Sequence, residues 1–125
     1  EEYYEEGILA NYAQIPDMLE QLCKETNEKL GNVHDILSVK LAADFHYRFM
    51  HIKPFGAGNI TVGLLMMNYI QMMFREPLII IPGEDKAKYL AAIKMQKDTP
   101  TPKTFERFVG EKLLSQLRKE VSPQK

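Results

Sequence analysis

The residues best suited to chemistry lie between Phe49 and Tyr69, in the run Phe-Met-His-Ile-Lys-Pro-Phe-Gly-Ala-Gly-Asn-Ile-Thr-Val-Gly-Leu-Leu-Met-Met-Asn-Tyr. A helix is expected to end near His51, because Pro54 with Gly56 and Gly58 interrupts regular structure and holds a short irregular loop. Asn59 then reads as the cap of a second helix that is apolar almost all round. A Gly-Asn pair ahead of a helix leaves backbone N–H groups pointing into the loop, with the positive end of the helix dipole behind them. Such an arrangement holds an anion such as a phosphate. His51 reads as a half-exposed histidine in the last helical turn, interacting with the dipole. It does not stand in for Lys53, because a two-residue step at a helix end turns the side chain to another face.

The order of these residues resembles the signature of the Fic family, Ile-His-Pro-Phe-x-(Asp/Glu)-Gly-Asn-Gly-Arg-x-x-Arg-Leu-Leu-Met-Asn. Set without gaps, this chain supplies Ile52, Pro54, Phe55, Gly58, Asn59, Leu65, Met67 and Asn68. Phe45-His46-Tyr47-Arg48-Phe49 is similar to the end of the helix leading into the family's loop. Pro77-Leu78-Ile79-Ile80-Ile81 and Asp85 to Ala92 are similar to the family's link and helix on the C-terminal side of the motif, and Ile15 to Leu19 to a preceding helix. The resemblance runs from residue 15 to residue 97. It implies an all-α fold, a Fic-like helical bundle around a central buried helix, spanning residues 15–121. Residues 1–14 form an N-terminal extension, in which Gly7 to Tyr12 could be the remnant of a flap hairpin or an irregular terminus. Residues 122–125 are a tail.

The resemblance also implies a chemistry: transfer of AMP from ATP to a hydroxyl of a target protein. In the family the motif histidine takes the proton from that hydroxyl, the acidic residue holds a Mg²⁺, and the arginines hold phosphates. Here the histidine position is Lys53, the acidic position Ala57, the second glycine Ile60, and the two arginines Thr61 and Leu64. An ordinary lysine titrates at ~10.4 against ~6.5 for histidine, so freeing its lone pair at pH 7 costs roughly 4 to 5 kcal/mol. An alanine methyl cannot ligate Mg²⁺, which requires carboxylate or phosphate oxygens. Losing the metal anchor and the arginines together removes most of the electrostatic stabilisation that such transfer relies on. These substitutions leave two readings. One is a catalytically degenerate domain that binds a protein partner, or a nucleotide without turnover. The other is a divergent nucleotidyl- or phosphotransferase in which Lys53 clamps a phosphate and Thr61 donates a hydrogen bond. Under either, the expected nucleotide- or anion-binding residues are Phe55, Gly56, Gly58, Asn59, Thr61 and Tyr89. Tyr89 falls where the family often places an aromatic near the base, and a packing tyrosine fits equally. ATP and Mg²⁺ are the cofactors implied. Ala57 counts against the metal, and no metal ligand is assigned.

The elements that must position this loop are helices nearly throughout. Ile15, Met18, Leu19, Leu22, Cys23 and Leu30 fall on one helical face, with Pro16 suited to the first turn. Gly31 stops that helix, and Asn32 with Asp35 begins the next in the manner of a capping box. The ladder Val33, Leu37, Leu41, Phe45, Phe49 and Ile52 marks its buried side, and so short a link predicts a helical hairpin. Leu64 to Met67 cover all sides of one turn, so the helix from Asn59 to Phe74 is expected at the centre of the bundle. Its methionines read as core filler and not as a soft-metal site. Pro77 to Pro82 is an extended apolar link, and Asp85 caps a short helix to Lys97. Thr101 and Pro102 start a last helix with the stripe Phe105, Phe108, Val109, Leu113, Leu114 and Leu117.

Composition sets the outer bounds. The chain has 125 residues, enough for one domain with one core. A formal net charge of -1 gives no electrostatic case for nucleic acid or an anionic membrane. The stretch Ile60 to Phe74 is too short and too interrupted by Asn68 and Gln71 for a membrane span. Cys23 stands alone, which excludes an internal disulfide and fits a reducing, cytoplasmic setting. His34, His46 and His51 lack zinc spacing, and neither Ser38 nor Ser115 has a neighbouring base and orienting acid. Lys86, Lys88, Lys94 and Lys97 read as a solvated helix face that could attract a phosphate. The family's inhibitory motif, Ser/Thr-x-x-x-Glu-Gly/Asn, is absent; Glu2 to Gly7 copies only its end. The first residue is Glu1, which allows a longer parent.

Overall fold

The computed structural model describes residues 13–31, 37–94 and 103–121, and in them five α-helices. The sequence readings of the flap, of the Thr101-Pro102 helix start, of residues 95–97 and of the tail fall outside the described residues. α1 (Ile15–Leu30) has Pro16 in its first turn and closes at Gly31, whose N–H bonds back to the Asn27 carbonyl at 3.2 Å. It packs against α2, burying Leu22 and Thr26. Met18 and Cys23, expected on the same apolar face, are exposed, because a peripheral helix needs to cover only a narrow stripe. Arg48 of α2 ties the pair from outside through a 2.7 Å ion pair to Glu25.

α2 (Ser38–Ile52) starts later than the sequence suggests. Leu37 is its N-cap residue, with extended backbone (φ -77, ψ 133) and an exposed side chain. The ladder therefore begins at Leu41 and continues through Phe45, Phe49 and Ile52, all buried; Val33 and Asp35 fall outside the described residues. α2 is the buried centre of the bundle, packed against α1, α3 and α5. Ala42 and Ala43, both fully buried, allow those neighbours to come close. The central helix is thus α2 and not α3, and the reason is tertiary. α3 (Asn59–Met73) is apolar all round but covers only one side, with Gly63, Met67, Ile70 and Gln71 buried and Leu65, Tyr69, Met72 and Met73 exposed.

α3 ends in a Schellman turn. The Glu76 N–H reaches the Gln71 carbonyl and the Arg75 N–H the Met72 carbonyl, both at 2.9 Å, with Arg75 in the left-handed region at φ 59. Among the described residues the extended link beyond it pairs with no strand, and side-chain amides hold it. Asn68 brackets Ile79, accepting from its N–H at 2.7 Å and donating to its carbonyl at 3.0 Å. Gln116 does the same for Ile80 N–H and the Leu78 carbonyl, at 2.8 and 2.6 Å. After a 3₁₀ turn at Gly83–Asp85 come α4 (Lys86–Lys94) and α5 (Lys103–Val121). Asp85 pairs with Lys112 of α5, and the Lys112 ammonium holds its carboxyl below the usual range. In α5, Phe105 and Val109 are buried and Phe108 and Leu113 partly so, whereas Leu114 is exposed, a further departure from the expected stripe.

One polar group sits at the junction of four helices. His46 of α2 is fully buried, its Nε2 2.5 Å from the Tyr89 hydroxyl of α4 and its ring stacked on Phe105 of α5. On the α3 side its Nδ1 has no partner of good hydrogen-bond geometry and lies beside the backbone of Gly63. Burial pushes the imidazole pKa down to about 4, offset in part by the Gly63 backbone.

This junction sets how stability responds to pH and to substitution. The unfolded chain takes up a proton at His46 near pH 6.5, the folded chain only near pH 4. Stability is therefore full above pH 6.5 and falls as the pH drops towards 4, by ~3 kcal/mol at ~1.36 kcal/mol per unit. Urea midpoints measured from pH 7 to pH 4 should show that loss, and His46→Gln should flatten it. Separately, a Cβ on Gly63 would sit 2.8 Å from His46 Cε1 and 3.2 Å from Phe49 Cδ2, whereas one on Gly110 meets nothing within 4 Å. Gly63→Ala should destabilise by ~1–3 kcal/mol. Gly110→Ala, by removing backbone freedom in a helix, should stabilise by ~0.5–1 kcal/mol.

Candidate functional site

The loop between α2 and α3 is built by two left-handed residues. Lys53 closes α2 at φ 51, ψ 64, its N–H bonded to the Phe49 carbonyl at 3.0 Å. Gly58 opens α3 at φ 87, ψ 7, its carbonyl accepting from the Val62 N–H at 3.0 Å. Glycine is the inexpensive residue at such a dihedral; lysine carries a strain of order 1 kcal/mol. Between them Pro54 fixes the direction, Phe55 leans on Phe49 with ring centroids 6.4 Å apart, and Phe55, Gly56 and Ala57 are exposed.

Asn59 does not cap α3. The N-cap is Gly58, which has no side chain to bond the first-turn N–H groups. Asn59, the first helical residue, instead turns its buried amide back across the loop. Its Oδ1 accepts from the Phe55 N–H at 3.0 Å and its Nδ2 donates to the Phe55 carbonyl at 2.9 Å. Both atoms of that amide are spent on shaping the backbone. What the loop offers a ligand is therefore the first N–H groups of α3, with the exposed Thr61 in that first turn and the half-buried Lys53 at the end of α2.

Six of the seven expected residues, Lys53, Phe55, Gly56, Gly58, Asn59 and Thr61, thus come together in one loop and one helical turn. Tyr89 does not join them. It is 2 % exposed, with its hydroxyl on His46 and its ring among Phe105 and Phe108, so it packs the core and cannot stack on a base. Ile60 and Leu64, which stand at the glycine and second arginine positions, are half-buried and packed against the core. His51 lies where its sequence placed it, half-buried in the last turn of α2, with its Nε2 3.4 Å from the Ile93 carbonyl and its ring 4.4 Å from that of Tyr47. Lys86, Lys88 and Lys94 are exposed on α4; Lys97 is outside the described residues.

The donor set does not fit Mg²⁺. Ala57 presents a methyl to solvent at the acidic position, and among the described residues no three His, Cys, Asp or Glu side chains gather where a cation could sit. The backbone N–H groups at the start of α3 are donors, which an anion complements. Sequence reasoning missed one further feature, an apolar-walled groove of about 420 Å³ between α1 and α2, formed by Met18, Gln21, Tyr47, Arg48, His51 and Ile52. It opens one residue before Lys53. No periodicity signals it, because it depends on how two helices diverge.

Comparison with known proteins places this geometry. The family model described as Fic/DOC matches residues 4–71, more than half of the chain. Among curated proteins, the protein adenylyltransferase Fic of Drosophila erecta is 31% identical over 85 residues, which are 68% of this chain and 16% of that protein. The protein of the same name from Drosophila melanogaster is 34% identical over 73 residues, 58% of this chain and 15% of its own length. The matched stretch is thus less than a fifth of those relatives. Among solved structures, a Fic-domain-containing signalling protein from Bacteroides thetaiotaomicron superposes with a TM-score of 0.74 at 22% identity, over 91% of this chain and 49% of that one. That likeness establishes the fold. Among the described residues, no helix is long and apolar enough to cross a membrane.

The amide clamp makes a prediction of its own. Asn59→Ala strips Phe55 of both loop partners, and should lower stability by ~1–3 kcal/mol. Asn59→Asp keeps the acceptor but faces a carboxylate with the Phe55 carbonyl, and should be at least as costly. Thermal melts and the exchange rate of the Phe55 amide check both.

Proposed function

The chain belongs to the Fic/DOC family, and on that premise we propose that it is a Fic domain that no longer transfers AMP and serves to bind a protein partner or a nucleotide without turnover. One observation carries the reading: the loop keeps its shape, through Gly58 and the Asn59–Phe55 clamp, while its chemical positions hold Lys53, Ala57 and Thr61. AMP transfer needs a base that is free to accept a proton near neutral pH, and an ordinary lysine ammonium is not one. It also needs cationic anchors for a triphosphate, and Leu64 offers packing where a guanidinium would stand. The groove between α1 and α2 supports the partner reading, since it reaches Ile52, the residue before Lys53, and combines the apolar Met18, Tyr47 and Ile52 with the polar Asp17, Gln21, Arg48 and His51.

A second reading, transfer from a different phosphate-bearing donor, draws on Lys53 and Thr61. They flank the N-terminus of α3 in sequence, Lys53 at the end of α2 and Thr61 in the first turn of α3, and a helix N-terminus suits a phosphate. The two are separated by turnover.

Incubation of the chain with labelled ATP, Mg²⁺ and a cell lysate should give no labelling above that of the lysate without the chain. Mg²⁺-dependent labelling that survives Lys53→Ala would overturn the inactive reading. Calorimetric titration with nucleotides should show binding weakened at least several-fold by Lys53→Ala and by Thr61→Val. A flat titration would leave the protein-partner form of the proposal and remove the nucleotide form and the second reading together.

A further inference from the structure

The charged groups that line or border the groove between α1 and α2 do not balance. Its apolar lining is Tyr47 and Ile52, both buried, and Met18, which is 39 % exposed on α1. Arg48, the guanidinium of the lining, is already held. Its Nη1 donates to Glu25 at 2.7 Å and lies 3.8 Å from the Asp44 carboxylate. Gln21 donates its Nε2 to the same Glu25 at 2.5 Å, so what its amide keeps for a ligand is the acceptor oxygen. Those two hydrogen bonds, from Gln21 and from Arg48, hold the Glu25 carboxyl below the usual carboxylate range and keep it charged; Lys29 acts on it only weakly. Asp17, exposed in the first turn of α1, adds another carboxylate to the lining. Asp17, Glu25 and Asp44 therefore stand against the one guanidinium of Arg48.

Given the partner form of the function proposed above, on which this rests, we infer that the groove takes a basic segment of a protein partner. An apolar side chain of that segment seats against Met18, Tyr47 and Ile52, and a neighbouring lysine or arginine pairs with Asp17. Charge selects the sign of the occupant. An acidic segment would meet Asp17 and find Arg48 committed to two carboxylates, and like charges brought together at an interface are rejected. Shape selects a segment of chain over a free small molecule. The lining comes from α1 and α2 alone, and a trough between two helices leaves one side of its occupant in solvent, whereas a small-molecule site encloses most of its ligand. The two contacts have separate roles. Burial of the apolar side chain supplies affinity, and the exposed ion pair at Asp17, worth little by itself, supplies the choice of partner.

Short random peptides displayed on phage and selected against the whole chain are the probe. Enriched peptides should carry Lys or Arg close to Leu, Ile, Met or Phe, and should bind more weakly as salt is raised. Asp17→Lys should weaken the best of them roughly fivefold or more, and Met18→Asp at least as much. The circular dichroism spectrum should not change, because both residues are exposed. Bound peptide should move the amide resonances of residues 17–21 and 47–52. Selection of acidic or uncharged peptides, or of none, would overturn the inference, and so would a second copy in the groove, seen as a dimer that Met18→Asp dissolves. Basic peptides that ignore both substitutions but depend on Lys53 would overturn it and leave the partner reading standing. AMP transfer in the labelling assay would remove that reading whatever the groove binds.

Discussion

The crossing of α2 and α3 at Gly63 is the contact on which the rest of the structure rests. His46 can lie fully buried only because Gly63 has no Cβ; a methyl there would overlap the imidazole. The ring then reaches Tyr89 of α4 and stacks on Phe105 of α5, so one side chain joins the two helices before the loop and after it to the two that close the bundle. A buried polar group of this kind costs stability unless it is bonded, and here one nitrogen is. Its return is geometric. With α2 and α3 locked in register, the six residues between Ile52 and Asn59 have fixed end points. A loop so constrained can close only through left-handed dihedrals such as those of Lys53 and Gly58.

The loop's shape and its chemistry are held by different residues. Pro54, Gly58 and Asn59 define the backbone, and Asn59 does so from within, with both amide atoms on Phe55. Ala57 and Thr61 point outwards from that frame. A binding loop can thus keep its outline while its reactive groups change, since the energy that maintains the outline does not pass through them. The reverse does not hold for Ile60 and Leu64. Both are part of the packed layer, so a charged side chain at either position would compete with burial of apolar surface.

Much of this was legible in the order of residues. The helix ends at Gly31 and His51-Ile52, the break at Pro54, the start of α3 and the extended link before Pro82 are all local effects of glycine, proline and periodicity. What was not legible depends on contacts distant in sequence. Tyr89 was assigned either a base or the core, and only its partner His46, 43 residues away, decides between them. An all-apolar α3 suggested a central helix, yet only one side of it found neighbours. Leu37 fitted the ladder of α2 by spacing and fell outside it because its backbone is extended. Arg75 takes the left-handed position of a Schellman turn where glycine is the usual signal. Gly63 gave a faint cue, as a lone glycine inside an apolar helix, but the side chain it accommodates is not adjacent in sequence.

The two sides of α3 therefore answer to different constraints, and that explains its composition. The inner side is set by the fit to α2, with Gly63 for close approach and Met67 and Ile70 to fill volume, and it admits no charge. The outer side meets no such fit among the described residues, and a surface helix of a globular protein would ordinarily carry charges there. Asn68 shows that polar residues are tolerated where they have work to do, since its amide fixes the extended link. That the neighbouring positions hold Leu65, Tyr69 and Met72 instead means that solvation is not what shapes them.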